Sequence, residues 1–194
     1  MKLTYYTHGG LFHCDEVTGF AICKLAGICD SFVRLTDISN IPTDGLVADI
    51  GRIDDSENYR FDHHQDFLLR DNGYPYASAG LLWEEFGRTI IRKYTNQNID
   101  VIWERVDKKL IQGIDAHDSD AKYFINTTCS AGEVEILSLP NVISQFNSKD
   151  VSNAEAQDFC FGLAVDLITN VLESVVNKAV KYFEDIVKFD SVFT

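Results

Sequence analysis

The order of hydrophobic and polar positions predicts four short strands and one helix in residues 1–65. Each predicted strand is a β-prone apolar run that ends at a glycine or at polar turn residues. The predicted strands cover residues 3–7, 31–37, 45–51 and 59–62. Between the first two strands, apolar residues recur at helical spacing, with Asp15 as a candidate N-cap and Gly27 as the end of the helix.

The second half of the chain has helical periodicity. Residues 77–94 and 98–115 each predict an amphipathic helix, whereas residues 121–149 carry a mixed signal. Residues 152–189 predict one long helix or two shorter ones, with Ser152 and Glu155 fitting a capping box. This order of elements predicts a three-layer α/β fold with a mostly parallel sheet and a helical C-terminal segment.

Composition narrows the class of protein. The chain has 194 residues, of which 45% are hydrophobic and 24% charged, as in a soluble domain with a full core. The N-terminus lacks the features of a secretory signal, and no run reaches the roughly 20 apolar residues of a membrane span, so we expect a cytoplasmic protein. Five scattered cysteines include no CxxC pair, which argues against a disulfide framework. A net charge of −13 argues against nonspecific binding to long nucleic acids.

All five histidines fall in three short clusters, and each cluster has aspartates beside it. Because functional side chains of α/β sheets gather beyond the carboxyl ends of the strands, we expect these clusters to converge. Taken singly, each residue is more simply a cap, a turn residue or a surface residue, so the prediction depends on their joint placement. The candidates for one site are His8, His13, Asp15, Asp49, His63, His64 and Asp115.

The chemistry of this set favours transition metals. Imidazole and carboxylate together form a mixed N/O ligand set that suits Mn²⁺, Fe²⁺, Zn²⁺ or Co²⁺. Seven candidates exceed the needs of one ion and suit two ions that share a bridging carboxylate. Such two-metal sites typically hydrolyse phosphoesters and phosphoanhydrides.

Four segments resemble, in the same order, the motifs of the Myg family. They are HGGLFHCDE, VADIGRIDDSENYRFDHHQ, ASAGLLWEEFG and GIDAHDSD. The first resembles that family's H-N-G-x-F-H-C-D-E and the second its V-D-V-G-G…Y-D-H-H-Q, and the resemblance covers roughly residues 6–118. The family comprises relatives of the melanocyte-proliferating-gene exonucleases, also called metal-dependent protein hydrolases, in the DHH phosphoesterase superfamily.

The resemblance implies a role for each matched ligand of the first two motifs. His8 and His13 would hold one ion, with His13 standing where many superfamily members have aspartate. Asp15 would hold the second ion. Asp49 would bridge the two.

The remaining motifs supply further ligands and the catalytic pair. By the same resemblance, His63 would bind metal, and Asp115 would be the aspartate of the fourth motif. His64 would face the scissile phosphate, and Asp62 would orient the histidines, as partners of ligating imidazoles usually do.

The activity that this resemblance implies is hydrolysis of phosphodiester bonds by water that two divalent ions activate. The expected metal is Mn²⁺, with Fe²⁺, Co²⁺, Zn²⁺ or Mg²⁺ as alternatives. The resemblance implies an exonuclease-like enzyme, and the acidic charge together with the missing second domain favours short single-stranded nucleic acid or small nucleotides as its substrate. A pyrophosphatase-like hydrolase and an inactive, metal-stabilised regulatory module are the alternative functions.

One departure from the superfamily concerns the substrate. Superfamily members usually carry a C-terminal domain that binds substrate, and such a domain is not evident in this sequence. We therefore expect a single domain over residues 1–194, with a metal-binding core in 1–120 and a helical extension in 121–194. Substrate contacts would then fall to Arg70 and to the helix start near Ser78, where free backbone N–H groups bind anions. The C-terminal helix is expected either to form a homodimer contact or to pack on its own sheet.

Overall fold

A five-stranded, mostly parallel sheet forms the base of the fold. The computed structural model describes residues 2–65, 68–119 and 137–193. The strands are β1 (Leu3–His8), β2 (Cys29–Leu35), β3 (Leu46–Ala48), β4 (Asp54–Asp55) and β5 (Arg60–Phe61). Their order in the sheet is β2-β1-β3-β5-β4, and β4 runs antiparallel to β5 whereas the other pairs are parallel.

Helices pack around this sheet. They are α1 (Cys14–Ala26), α2 (Ser78–Ile91), α3 (Ile99–Val106), α4 (Gln112–Asp118), α5 (Leu139–Ser144) and α6 (Ala154–Phe193). A π-helical segment, Asp107–Ile111, joins α3 to α4 without a break, so the helical run continues past the predicted end at residue 115.

The predicted α/β class, the mostly parallel sheet and the C-terminal helix are confirmed. The two-residue strand β4 was not predicted. The predicted capping box at the start of α6 is wrong, because Asn153 caps this helix by accepting the N–H of Ala156 at 3.0 Å, while Ser152 bonds to Asp150. Residues 121–136 of the segment with a mixed signal lie outside the described residues.

An aromatic cluster joins the first and last elements of the chain. The ring of Phe20 in α1 lies 5.2 Å from that of Tyr5 in β1 and 5.3 Å from that of Phe32 in β2. Phe161 of α6 completes the cluster, 4.8 Å from Phe32. Since burying each such ring contributes about 1.5–3 kcal/mol, α6 is held firmly in the same core as β1 and α1.

The outward face of α6 remains apolar at several positions. Phe159 is 69% exposed, and Leu163 and Val187 are nearly half exposed. Within the described part of the chain, α6 is also long and apolar enough, by length and composition, to cross a membrane. The core helix of a soluble protein meets the same test, and a third of the most apolar window of α6 is buried. The homodimer contact through this helix stays a prediction.

Candidate metal centre

The carboxyl ends of three parallel strands bring the histidine and aspartate clusters to one edge of the sheet. β1 ends at His8, β3 ends directly before Asp49, and β5 ends directly before Asp62. The N–H of Asp49 donates to the carbonyl of Phe61 at 3.1 Å, which extends the β3–β5 pairing into the site. This is the edge at which open α/β sheets bind ligands.

Asp49 lies at the centre of this edge, among three imidazoles. Its Oδ2 is 3.2 Å from His8 Nε2, and its Oδ1 is 3.5 Å from His63 Nε2 and 3.6 Å from His64 Nδ1. Burial opposes ionisation of Asp49, but the nearby imidazoles of His63 and His8 outweigh it and lower the pKa of Asp49 to about 2. Its backbone is left-handed, with φ of 62°, a strained conformation that is common at functional sites.

His8, His13 and Glu16 form the first half of the centre. Each offers a ligand atom within 4.8 Å of the others, and His8 Nε2 lies 3.1 Å from Glu16 Oε1. His13 is the N-cap of α1, and its N–H donates to Glu16 Oε1 at 2.9 Å. The second carboxylate oxygen, Glu16 Oε2, is buried and has no hydrogen-bond partner among the described residues.

Sequence reasoning missed Glu16. Its spacing of three residues after His13 is the spacing of a capping box, which would have placed it at the helix start beside the predicted ligands. Burial raises the pKa of the Glu16 carboxyl, and a nearby cation opposes that shift. The His8 imidazole, whose Nε2 lies 3.1 Å from Glu16 Oε1, is such a group. Burial lowers the pKa of His8, but hydrogen bonds to Asp49 and Glu16 outweigh burial and raise that pKa to about 11.

Asp15, Asp49, His63 and Asp118 form the second half of the centre. Their ligand atoms also lie within 4.8 Å of one another. His63 Nε2 is 3.1 Å from Asp118 Oδ2 but makes no hydrogen bond of good geometry within the described ranges. Burial, followed by the charges of Asp118 and Asp49, raises the pKa of Asp15 well above its usual range. Crowded carboxylates and unsatisfied buried ligand atoms are the donor set that a divalent cation would complete.

Asp15 also caps a helix, although not its own. It lies inside the first turn of α1, whereas the predicted role of α1 N-cap belongs to His13. The Asp15 carboxylate accepts the backbone N–H groups of Ser78 (3.1 Å) and Ala79 (2.7 Å) at the start of α2. These N–H groups are therefore not free to bind a substrate anion as we expected. The hydroxyl of Ser78 is buried without a partner in the described structure.

Asp115 is held in a buried ion pair next to the centre. Its Oδ1 accepts the N–H of Gly80 at 3.0 Å, and its Oδ2 accepts a hydrogen bond from Arg70 Nη2. Arg70 is only 7% exposed and also donates to Asp107 (3.0 Å) and to the carbonyl of Pro75 (2.6 Å). A Cβ added to Gly80 would lie 2.0 Å from Asp115 Oδ2, so this packing requires glycine.

Two predicted roles do not fit this geometry. Arg70 is a buried partner of carboxylates, not a cation available to substrate. Asp115 is outside the groups of ligand atoms found among the described residues, whereas Asp118, three residues further along α4, is inside one. The structure thus brings together five of the six predicted metal ligands, namely His8, His13, Asp15, Asp49 and His63.

Arg70→Ala should lower the free energy of unfolding by about 3–5 kcal/mol, because it leaves Asp107 and Asp115 as buried, unpaired carboxylates. Urea unfolding of the metal-free protein measures this loss. Arg88→Ala is the matched control, since Arg88 pairs on the surface of α2 and its removal should cost less than about 1 kcal/mol. Unchanged stability in Arg70→Ala, with only KM raised, would restore the substrate-binding role.

Asp62 and His64 form a pair at the rim of the centre. Asp62 Oδ1 lies 2.7 Å from His64 Nδ1, and Oδ2 accepts the N–H of Arg52 at 2.7 Å, which fixes the carboxylate. Asp62 is fully buried, whereas the side chain of His64 is 49% exposed. The hydrogen bond to Asp62 raises the pKa of His64 and favours the imidazolium form.

Cys14 lies between two candidate ligands in sequence but packs in the core. Burial raises the pKa of its thiol to about 12, so the thiolate needed for nucleophilic attack is not available near neutral pH. The structure agrees with a packing role.

Comparisons with known proteins point to one family. The model of the family MYG1_exonuc, described as uncharacterised protein family UPF0160, matches residues 4–189. The MYG1 protein of Saccharomyces cerevisiae is 28% identical, over 88% of this chain and 55% of the yeast protein. The MYG1 protein of Chlamydia trachomatis is 27% identical, over 86% of this chain and 53% of its own length.

A mammalian relative, the MYG1 exonuclease of Mus musculus, is 27% identical over 64% of this chain and 39% of the mouse protein. The chain thus spans about half, or less, of the length of these curated relatives. No solved structure matches the chain significantly.

Proposed function

The chain belongs to the MYG1_exonuc family, UPF0160, and from this premise we propose that it is a metal-dependent phosphoesterase that cleaves phosphodiester bonds in short single-stranded nucleic acid or small nucleotides. The observation that carries the proposal is the position of Asp49. Its Oδ2 faces His8 in one ligand group, and its Oδ1 faces His63 in the other. A carboxylate between two ligand groups has the placement that a bridging ligand needs in a two-metal hydrolase.

We assign the ligands from the geometry rather than from the motifs alone. One ion would be held by His8, His13 and Glu16, and the second by Asp15, His63 and Asp118, with Asp49 shared. When bound, the two ions would supply Lewis acidity and a hydroxide near neutral pH. The mixed imidazole and carboxylate donors suit Mn²⁺, Fe²⁺, Co²⁺ or Zn²⁺, and of these we propose Mn²⁺ because the family resemblance implies it.

His64 has the features of the group that meets the substrate phosphate. Its Nδ1 is engaged by Asp62, so Nε2 of the half-exposed ring is the nitrogen that can donate to a phosphate oxygen or to the leaving group. The hydrogen bond to Asp62 raises the pKa of His64 and so favours the imidazolium form, which suits both tasks. Asp62 acts through His64, by holding its orientation and favouring its imidazolium form.

The expected substrate class follows from charge and from the relatives. A net charge of −13 disfavours the many phosphate contacts that long duplexes need, whereas a short single strand can be held at the centre itself. The mouse relative is named an exonuclease, which supports nucleic acid over other phosphoesters.

The test is turnover of a substrate panel by the full chain with Mn²⁺. The panel contains end-labelled single-stranded oligonucleotides, cyclic dinucleotides and pyrophosphate. We expect cleavage of a short single strand that stops with EDTA and returns with added Mn²⁺. Turnover of pyrophosphate without cleavage of any oligonucleotide would favour the pyrophosphatase alternative. An inert protein that binds no transition metal would overturn the proposal and favour a regulatory module.

A further inference from the structure

The loop from β1 to α1 carries a candidate ligand at each end, His8 and His13, and a distant side chain holds it from outside. Asn147 Oδ1 accepts the backbone N–H of Phe12 at 3.0 Å, and Asn147 Nδ2 donates to the carbonyl of Phe12 at 2.8 Å. One amide therefore satisfies both backbone polar groups of a residue 135 positions away. Phe12 itself is fully buried, so neither group has bulk water as an alternative partner.

A second side chain holds the same loop from the other side. Arg34 Nη2 donates to the carbonyl of Gly10 at 2.7 Å. The Arg34 guanidinium lies over the rings of Phe12 and Phe161, at 5.3 Å and 5.2 Å, and is within 3.4 Å of Asp158. The loop is thus fixed in place by residues of β2 and α6 as well as by Asn147.

We propose that Asn147 is a positioning residue for the His8, His13 and Glu16 half of the metal centre. The inference rests on the proposed function, because it takes that centre as the metal site. Phe12 directly precedes His13, so the amide of Asn147 fixes the peptide that leads into the α1 N-cap. His13 in turn donates its N–H to Glu16 Oε1, so the two ligands are set by one backbone position. Ligands must be held within about 0.5 Å to bind a metal well.

A purely structural asparagine would behave differently. Its loss would lower stability by a similar amount with and without metal. A positioning residue, when changed, lowers metal affinity in the folded protein, typically by about 10–100-fold for residues outside the ligand set. Metal affinity and ligand-field spectra therefore separate the two roles.

The experiment uses Asn147→Asp in the full chain. This change keeps an oxygen to accept the Phe12 N–H but places a second oxygen against the Phe12 carbonyl, where the donor stood. The matched control is Asn170→Asp, which makes the same charge change at an exposed position of α6, where the amide donates to the Asp166 carbonyl of its own helix. Co²⁺ affinity is measured by competition with a chelator, together with the visible spectrum of the Co²⁺-loaded protein.

We expect Asn147→Asp to bind one of two Co²⁺ ions about 10–100-fold more weakly and with a changed spectrum, while the second ion and the control keep wild-type values. Wild-type affinity and spectrum in Asn147→Asp, with only a lower Tm, would overturn the inference alone. A wild-type chain that binds no Co²⁺ would overturn the proposed function with it. Asn147→Ser, which adds no charge, is tested in parallel. Failure of both variants to fold would show a structural role and reject the positioning role.

Discussion

Asp49→Asn should lower kcat by about 10³-fold or more and remove most bound metal. Asparagine keeps the shape of the side chain but loses the negative charge that would hold both ions, so the Lewis acidity and the hydroxide that the ions would supply are lost with the metal. Metal content by elemental analysis and initial rates on the oligonucleotide found in the substrate panel measure the two effects.

The fold of Asp49→Asn should survive, because asparagine tolerates the left-handed backbone of this position and the strand pairing uses the Asp49 backbone. Asp44→Asn is the matched control, since Asp44 lies exposed in the loop before β3 and should leave metal content and rate unchanged. Wild-type turnover and two bound ions in Asp49→Asn would contradict its role as the shared ligand.

His64→Asn should lower kcat by about 10²–10⁴-fold while leaving metal content and KM within a few-fold of wild type. The reason is that Asp62 engages His64 Nδ1 and the ring is half exposed, so under the proposed role His64 acts on the substrate and the other candidate ligands hold the metal. His117→Asn, at an exposed histidine of α4, is the control.

The pH dependence of the rate tests the proposed role of His64 independently. The pKa of His64 is raised by Asp62, so the required imidazolium is present below that pKa and is lost as the pH rises through it. The wild-type rate should therefore fall on the alkaline side, and His64→Asn should lose this limb. If His64→Asn kept the same fall in rate at high pH, the general acid would be a group other than His64.

The place of the site could be predicted because strand ends are visible in the sequence. Apolar runs mark β1 and β3, and the polar residues just after them must meet at one edge of a parallel sheet. This argument located His8, Asp49 and His63 without knowledge of any contact. The same argument did not predict β4, because its two residues are both aspartates and show no hydrophobic alternation.

The choice between Asp115 and Asp118 needed the structure. Both aspartates lie in one short string, three residues apart, and therefore share one face of α4. What separates them is tertiary pairing, because Arg70 and the Gly80 N–H engage Asp115. Asp118 Oδ2 instead lies 3.1 Å from His63 Nε2. The family motif names the string but not these partners.

The burial of Arg70 against two carboxylates could not be predicted, for a different reason. A single arginine in a loop resembles a surface cation, and its two carboxylate partners lie 37 and 45 residues further along the chain. The N–H groups of α2 looked free for the same reason, since their acceptor Asp15 lies 63 residues earlier than Ser78. Long-range pairings of this kind follow from tertiary packing and not from local pattern.

Anomalous X-ray scattering from crystals of the Mn²⁺-loaded protein tests the central claim most directly. We expect two Mn²⁺ peaks about 3.5–4 Å apart, both in contact with Asp49. One peak should touch His8, His13 and Glu16, and the other Asp15, His63 and Asp118. No peak at this edge of the sheet, or one bound without Asp49, would contradict the account.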